Sequence, residues 1–207
     1  MVVTLTATLN LPVRRPVLAE ILPAGLTRTG VTILLGAGLT AAAAQVSFPV
    51  PGSPVPVTGQ TFAVLLTAAA LGPARGLAAQ ALYLITGLAG LPVFAAAGHG
   101  PGVVFGASGG YLVGFLAAAL IAGYGARRGA DRSPWRTLVL FAVASAVIYL
   151  AGTAWLCLDT GMSVRAGISA GVTPFVPGDA AKALLAAGLL PGAWRLAGRG
   201  ADKRSER

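Results

Sequence analysis

The chain has 207 residues, of which 56% are hydrophobic and only 10% are charged, and its mean hydropathy is +0.79. Soluble globular domains carry about 25% charged residues, so this composition excludes that class and indicates an integral membrane protein. The formal net charge of +9 raises the question of a nucleic-acid partner, and the single cysteine, Cys157, excludes an intramolecular disulfide.

Residues 1–29 combine three arginines with several prolines, which predicts a cytoplasmic N-terminal segment without a cleavable signal peptide. The apolar stretches that follow are continuous, so the predicted fold class is an all-α integral membrane protein. We predict a six-helix membrane domain over residues 30–198 and a basic cytoplasmic tail over residues 199–207.

Six apolar segments follow one another in the membrane domain, and several are shorter than the roughly 20 residues that a perpendicular crossing needs. Short segments interrupted by Gly and Pro favour a compact bundle with a cavity. The predicted segments are residues 31–48, 60–71, 76–93, 111–124 and 137–158, and a last helix that begins at Asp179 and is bent or ended by Pro191-Gly192.

The first segment carries small residues at steps of three and four. They are Gly36, Ala37, Thr40, Ala41 and Ala44. A helix face without bulky side chains lets another helix approach closely. Two interpretations stay open at this point: packing within the same chain, or docking to a separate membrane protein.

The basic residues predict the orientation in the membrane. With the N-terminus in the cytoplasm, 13 of the 15 Lys and Arg residues fall on the cytoplasmic side, and the C-terminus is cytoplasmic too. The same distribution explains the net charge, because the basic residues orient the protein against anionic lipid and require no nucleic acid. The predicted outer loops, residues 49–59, 94–110 and 159–178, are long, nearly uncharged and rich in Gly and Pro.

An acid and a base stand at the start of the last predicted helix, in the sequence GVTPFVPGDAAK of residues 171–182. Asp179 is predicted to be the N-cap, and Lys182 lies one turn later on the same helix face. The pair either caps and anchors the helix or holds a ligand. We favour a ligand, because ionisable residues in membrane spans are costly and usually face a cavity. A urea or amide would match one donor and one acceptor.

Three further polar or aromatic residues are candidates for the same outer site. Gln60 stands at the outer end of the second segment and could bond either the loop backbone or a ligand. Tyr83 and Trp155 lie deeper, where an aromatic ring with a polar tip serves either in packing or in a pocket wall.

No pattern in the sequence predicts an enzyme. A G-x-S-x-G match at residues 167–171 lacks the strand-to-helix turn and the partners of a nucleophile, since the only histidine, His99, lies in another loop. No group of residues has metal-ligand spacing, and no Walker motif is present. We therefore expect no catalytic residue, no metal and no cofactor in this chain, and any ATP would be used by a partner subunit.

Four stretches together resemble the BioY family, the biotin-specific S components of energy-coupling factor (ECF) transporters. They are FPVPGSPVPVTGQTFAVLL, ALGPARGLAAQALYLITGLAGLPVF, GASGGYLVGF and GVTPFVPGDAAKALLA. The resemblance covers nearly all of residues 37–186. Where the family has a TLQT-like motif, this chain has Thr58-Gly59-Gln60-Thr61.

The resemblance implies a six-helix subunit in a bacterial plasma membrane that captures biotin from outside. Asp179 and Lys182 match the family residues that contact biotin, and Gln60 matches a family glutamine. Tyr83 and Phe94 fall in a segment that borders the family's pocket. The alternative ligand is another small vitamin.

The resemblance also implies partners. Ala37 and Ala41 look like the surface that S components present to a transmembrane coupling subunit. Two cytoplasmic ATPases would complete the complex.

Overall fold

The computed structural model describes residues 15–21 and 25–205, with side chains up to residue 197. It is a bundle of α-helices with one short pair of antiparallel strands after the first long helix. The helices are α1 (Leu26–Gln45), α2 (Gln60–Leu71), α3 (Pro73–Leu88), α4 (Pro101–Val104), α5 (Gly109–Arg127), α6 (Pro134–Thr160), α7 (Val164–Gly171) and α8 (Val176–Ser205); the strands are β1 (Ser47–Phe48) and β2 (Val57–Thr58).

The six long helices of the described chain, α1, α2, α3, α5, α6 and α8, follow the order of the six predicted segments. Three of them, α1, α5 and α6, are long and apolar enough to cross a membrane. α2 has 12 residues and α3 has 16, so at 1.5 Å per residue they are about 18 and 24 Å long. The all-α fold is confirmed, and the count of six crossings stays a prediction.

The loop that follows α1, predicted to be an outer loop, is more ordered than predicted. α1 ends at Gln45. The last two residues of the predicted first segment, 47 and 48, form β1 instead, which pairs antiparallel with β2. The pairing brings Ser47 opposite Thr58, directly before the start of α2. The strands close the proline-rich loop on itself, so they hold the entrance to α2 in one position.

The predicted outer loop over residues 159–178 is wrong, because most of it is helical. α6 continues to Thr160, and α7 follows after three residues, with the Ser163 hydroxyl accepting from the Ala166 N–H at its N-cap. Ser at an N-cap satisfies a backbone donor that the helix leaves unpaired. The many glycines of this stretch favoured a loop in the sequence analysis, but residues 164–171 form a short helix that packs against α6.

The predicted N-cap at Asp179 is also wrong. α8 begins at Val176, and the Asp179 N–H already donates to the Phe175 carbonyl at 2.9 Å. Pro177 fits this first turn because its missing N–H has no helical partner to lose. At the other end, α8 runs through Pro191 and into the predicted tail as far as Ser205, so Pro191-Gly192 does not end the helix.

α1 turns its small-residue face into the bundle. A Cβ on Gly36 would lie 2.5 Å from Thr67 Cγ2 and 3.0 Å from the Ala79 Cβ, so α2 and α3 both touch α1 at this point. Ala37 is buried, and Ala41 is partly buried against the same core. The sequence allowed this face to pack within the chain or to dock a partner, and the structure uses it within the chain.

α5 lies in the centre of the bundle, where it packs against α2, α3 and α6. Its glycines permit the close approach: a Cβ on Gly114 would lie 3.0 Å from Ile148 Cα, and one on Gly123 would overlap the backbone of Pro73. The alanines along the same helix, Ala118, Ala119, Ala122 and Ala126, are all fully buried. Small side chains thus allow α5 to approach the backbones of its neighbours closely.

A partly buried ion-pair cluster ties the N-terminal segment to the end of the bundle where α5 finishes. Glu20, in a short 3-10 helix (Leu18–Ile21), accepts from Arg127 at 2.5 and 2.9 Å and from Arg75 at 3.3 Å. Burial by itself would raise the pKa of the Glu20 carboxyl. Hydrogen bonds from Arg127 and the Val17 N–H outweigh it and hold that pKa below its usual value. Of the predicted N-terminal segment, residues 1–14 and 22–24 lie outside the described residues.

We predict that Glu20→Gln lowers the melting temperature of the detergent-purified protein and costs about 1–3 kcal/mol of unfolding free energy. A carboxyl whose pKa is lowered by folding stabilises the fold above its unfolded pKa of about 4.3, and loses this effect as the pH falls through the folded value. The difference between parent and variant should therefore shrink in acid. Asp159→Asn, at an exposed carboxyl, is the matched control, and equal melting of parent and Glu20→Gln at neutral pH would contradict the role of the cluster.

Candidate ligand-binding site

A pocket with a cavity volume of about 60 Å³, partly open to the surroundings, lies at the end of the bundle opposite the Glu20 cluster. The starts of α2, α5 and α8, the second half of α6, and the loop with β2 meet there. The lining residues are Val55, Pro56, Thr58, Gln60, Thr61, Phe94, Ala95, Val103, Ser108, Tyr111, Leu112, Phe115, Ile148, Tyr149, Phe175, Asp179 and Lys182.

Asp179 and Lys182 form the predicted ion pair on one face of α8, with Nζ 2.6 Å from Asp179 Oδ1. Lys182 Nζ also donates to the Thr58 carbonyl at 2.6 Å and to Thr61 Oγ1 at 3.0 Å. The ammonium group therefore uses all three of its N–H donors, and two of them reach the segment that enters α2. A buried charge pair is stable only when such additional hydrogen bonds satisfy both partners.

The Asp179 carboxylate, only 8% exposed, accepts from two residues that the sequence reasoning missed. Thr61 Oγ1 donates to Oδ1 at 2.8 Å, and the Tyr149 hydroxyl donates to Oδ2 at 2.6 Å. Thr61 directly follows Gln60 in the quoted motif, which was a usable signal. Tyr149 lies in the middle of an apolar helix, and no feature of the sequence points to it.

Gln60 lines the pocket and is 6% exposed. Its Oε1 accepts from Thr58 Oγ1 at 2.8 Å, and its Nε2 donates to the Tyr83 hydroxyl at 2.5 Å. Tyr83 lies behind Gln60, does not line the pocket, and packs edge-on against the Phe94 ring at 5.4 Å between centroids. Phe94 does line the pocket, so Tyr83 supports two lining residues.

Trp155 does not line the pocket, which favours packing, one of the two interpretations left open for it. Its indole N–H donates to the Gly106 carbonyl at 3.0 Å, and its ring packs on Gly109 and Gly110 at the start of α5. The two glycines leave room for the ring, because a Cβ at either position would overlap its surroundings. Trp155 therefore fixes the α5–α6 contact beside the pocket.

The other side of the pocket is apolar and aromatic. Tyr111 stacks on Phe175 with ring centroids 6.0 Å apart, and its hydroxyl is turned away to the Gly171 carbonyl at 2.7 Å. Phe115 and Ile148 continue this wall. One side of the cavity is thus polar and charged while the other is apolar, which suits a small ligand with a polar head and an aliphatic body.

A loop that covers part of the pocket is fastened to the end of α1. Gln45 Nε2 donates to the carbonyls of Val93 and Phe94 at 3.4 and 3.2 Å, and its Oε1 accepts from the Ala97 N–H at 3.1 Å. Ala96 and Ala97 have left-handed φ angles of 52° and 57°, which are unfavourable for residues with a Cβ. Gln45 thus helps to hold a strained turn beside Phe94.

In the described ranges, no group of three or more His, Cys, Asp or Glu side chains is arranged to hold a metal ion. His99 is exposed, and its ring Nδ1 lies 3.3 Å from the Ala97 carbonyl oxygen.

Comparison with known proteins agrees with this architecture. The model of the BioY family matches residues 12–199. A probable biotin transporter BioY of Pyrococcus horikoshii is 38% identical over 154 residues, which covers 74% of this chain and 88% of the relative. The biotin transporter BioY2 of Lactococcus lactis is 33% identical over 156 residues, covering 74% of this chain and 82% of the relative.

The crystal structure of the S-component for biotin from an ECF-type ABC transporter superposes with a TM-score of 0.74. The match covers 82% of this chain and 92% of that one, at 20% sequence identity, so it shows a common fold. From the family match and the identity to several relatives, this chain belongs to the BioY family.

Proposed function

We propose that this protein captures biotin at the pocket end of the bundle and acts as the substrate-binding subunit of an ECF-type transporter. The observation that carries the proposal is the hydrogen-bonded Asp179–Lys182 pair in a partly open pocket whose opposite wall is apolar. The names of the relatives support biotin as the ligand. The protein is a transporter subunit and not an enzyme.

The chemistry of biotin fits the two sides of the pocket. Its ureido ring has two N–H donors and one carbonyl acceptor, and its ring sulfur and valeryl chain are largely apolar. A carboxylate has about four acceptor sites. Asp179 uses three of them, for Thr61, Lys182 and Tyr149, so one remains for a ureido N–H.

Lys182 has no free donor in the arrangement described, because all three are used within the chain. A ureido carbonyl therefore takes the place of one present acceptor, and the Thr58 carbonyl at the pocket wall is the one we assign. Lys182 is hydrogen-bonded to Thr58, and Thr58 to Gln60. A ligand that displaced the Thr58 carbonyl from Lys182 would therefore alter the hydrogen bonds at the start of α2.

The location follows from the same proposal. We place the protein in the bacterial plasma membrane with six crossings, the pocket facing outward and both termini in the cytoplasm. The three long apolar helices and the arginines at the end opposite the pocket support this orientation.

The contact with the transmembrane coupling subunit needs a different α1 face from the one that the resemblance implied. Because Ala37 is buried, we assign the contact to the outward face, which carries Leu34, Leu35, Gly38, Leu39 and Ala42. Gly38 has no atom within 4 Å of an added Cβ, so this face is open in the isolated chain. Two cytoplasmic ATPases complete the proposed complex.

We predict that Asp179→Asn and Lys182→Ala each weaken biotin binding by about 1–3 kcal/mol or more, because each leaves a buried polar partner unpaired. Tyr149→Phe removes one hydrogen bond and should cost about 0.5–1.5 kcal/mol. Labelled biotin titrated into the purified protein measures the three affinities, with Asp159→Asn as the charge control. If both Asp179→Asn and Lys182→Ala bind biotin like the parent, the clamp is not the site, and competition by other vitamins then tests the alternative ligand.

A second prediction separates the two faces of α1. Gly38→Leu should leave biotin binding and melting temperature unchanged and should reduce uptake in cells that contain the coupling subunit and the ATPases. Gly36→Leu, two residues away, should destabilise the purified protein because the side chain would overlap Thr67 and Ala79. Normal uptake by Gly38→Leu would place the coupling contact elsewhere.

A further inference from the structure

The α5–α6 connection carries more arginines than have hydrogen-bond or ion-pair partners among the described residues. Between residues 127 and 136 the chain carries four arginines and one acid, Asp131. Arg127 is bonded to Glu20, and Arg132 donates to the Pro16 carbonyl at 3.1 Å and stacks 4.1 Å over the Trp194 ring. Asp131 is fully buried and accepts from the Trp194 indole at 2.5 Å.

Two arginines remain. Arg128, at the end of α5, and Arg136, in the first turn of α6, are both exposed. Neither guanidinium has a hydrogen-bond or ion-pair partner among residues 15–21 and 25–197. Two neighbouring elements therefore present two unused cations on the outside of the bundle.

Two apolar grooves adjoin these cations. One is lined by Ala130, Trp135, Arg136, Val139, Leu140 and Val143. The other is lined by Leu120, Ile121, Tyr124, Gly125, Arg128 and Leu140. Leu140 belongs to both, and it packs directly on Gly125, so it forms the ridge between the grooves. Each groove has one arginine and one aromatic residue at its basic end.

The aromatic residues indicate what environment the grooves occupy. Trp135 is 72% exposed and Tyr124 is 55% exposed, beside apolar side chains that are also exposed. Trp and Tyr are enriched where a membrane's headgroups meet its hydrocarbon. Basic pockets between membrane helices at this level bind anionic lipid headgroups. A lipid also has two acyl chains to fill the two apolar grooves, which a peptide or a soluble anion does not have.

From this arrangement, we propose that the outer face of α5 and α6 binds one anionic phospholipid. Its phosphate lies between Arg128 and Arg136, and its two acyl chains lie in the grooves on either side of Leu140. The bound lipid neutralises the two unused arginines and fills the surface next to the connection that holds Arg127 and Asp131. The site is remote from the biotin pocket and independent of the ligand assigned there.

Native mass spectrometry of the detergent-purified protein, with phosphatidylglycerol or phosphatidylcholine added, tests the headgroup contact. The parent should retain one phosphatidylglycerol and little phosphatidylcholine. Arg128→Gln with Arg136→Gln should reduce retention by roughly 10- to 30-fold, because two cationic contacts are lost. The control is Arg165→Gln with Arg195→Gln, which removes the same charge at exposed positions outside the grooves and should retain the lipid.

A second pair of variants tests the acyl-chain contact. Val143→Trp fills one groove without a change of charge and should also reduce retention, whereas Leu150→Trp, at a position of α6 that is 71% exposed and outside both grooves, should not. Biotin affinity should stay unchanged in all four variants. A failure of the lipid-binding proposal can therefore be distinguished from a failure of the proposed function.

Three results would overturn the proposal. The first is retention of phosphatidylglycerol by the double arginine variant at the level of the parent. The second is equal retention of phosphatidylcholine by the parent. The third is displacement of the lipid by glycerol 3-phosphate together with no effect of Val143→Trp, which would indicate a site for a free phosphate group only.

Discussion

The structure depends most on a single buried carboxylate. Asp179 accepts hydrogen bonds from Lys182 in its own helix, from Thr61 in α2 and from Tyr149 in α6. A charge removed from water is costly unless it is paired and hydrogen-bonded, so the three helices that supply its donors must meet in one arrangement. That requirement positions the polar wall of the pocket, and it links the proposed ligand contacts to the packing of the bundle.

The two ends of the bundle differ in the number of charged residues and in how these are paired. At the pocket end, one ion pair is enclosed by hydroxyls and a carbonyl, and the surrounding loops are almost uncharged. At the other end, arginines outnumber acids, and Glu20 joins the N-terminal segment to α3 and α5. This asymmetry agrees with the proposed ligand, whose ureido ring carries no charge, and with the proposed orientation, in which the basic end faces anionic lipid.

Small residues determine which helix faces are inside. Gly36 and Ala37 let α1 touch α2 and α3, and Gly110 and Gly114 let α5 touch α6. In a membrane the tails of lipids are as apolar as leucine, so close packing is what distinguishes a helix neighbour from lipid. The leucines of α1 therefore face outward, and the smallest side chains face the core.

The sequence by itself determined the class of the protein, the order of the six long helices, the family, and the pairing of Asp179 with Lys182. The class, the helix order and the pairing follow from composition, from continuous apolar runs and from local spacing, all of which act along the chain, and the family follows from the resemblance of four stretches. It did not determine where α8 begins, that residues 164–171 are helical, or which face of α1 is buried, because glycine, proline and alanine allow several local structures. Tyr149, Trp155 and Thr61 show the same limit at the site. Only the tertiary structure decided which side chains meet. A hydrogen bond between α6 and α8 depends on how the two helices pack, and it produces no repeating pattern in the sequence of either helix.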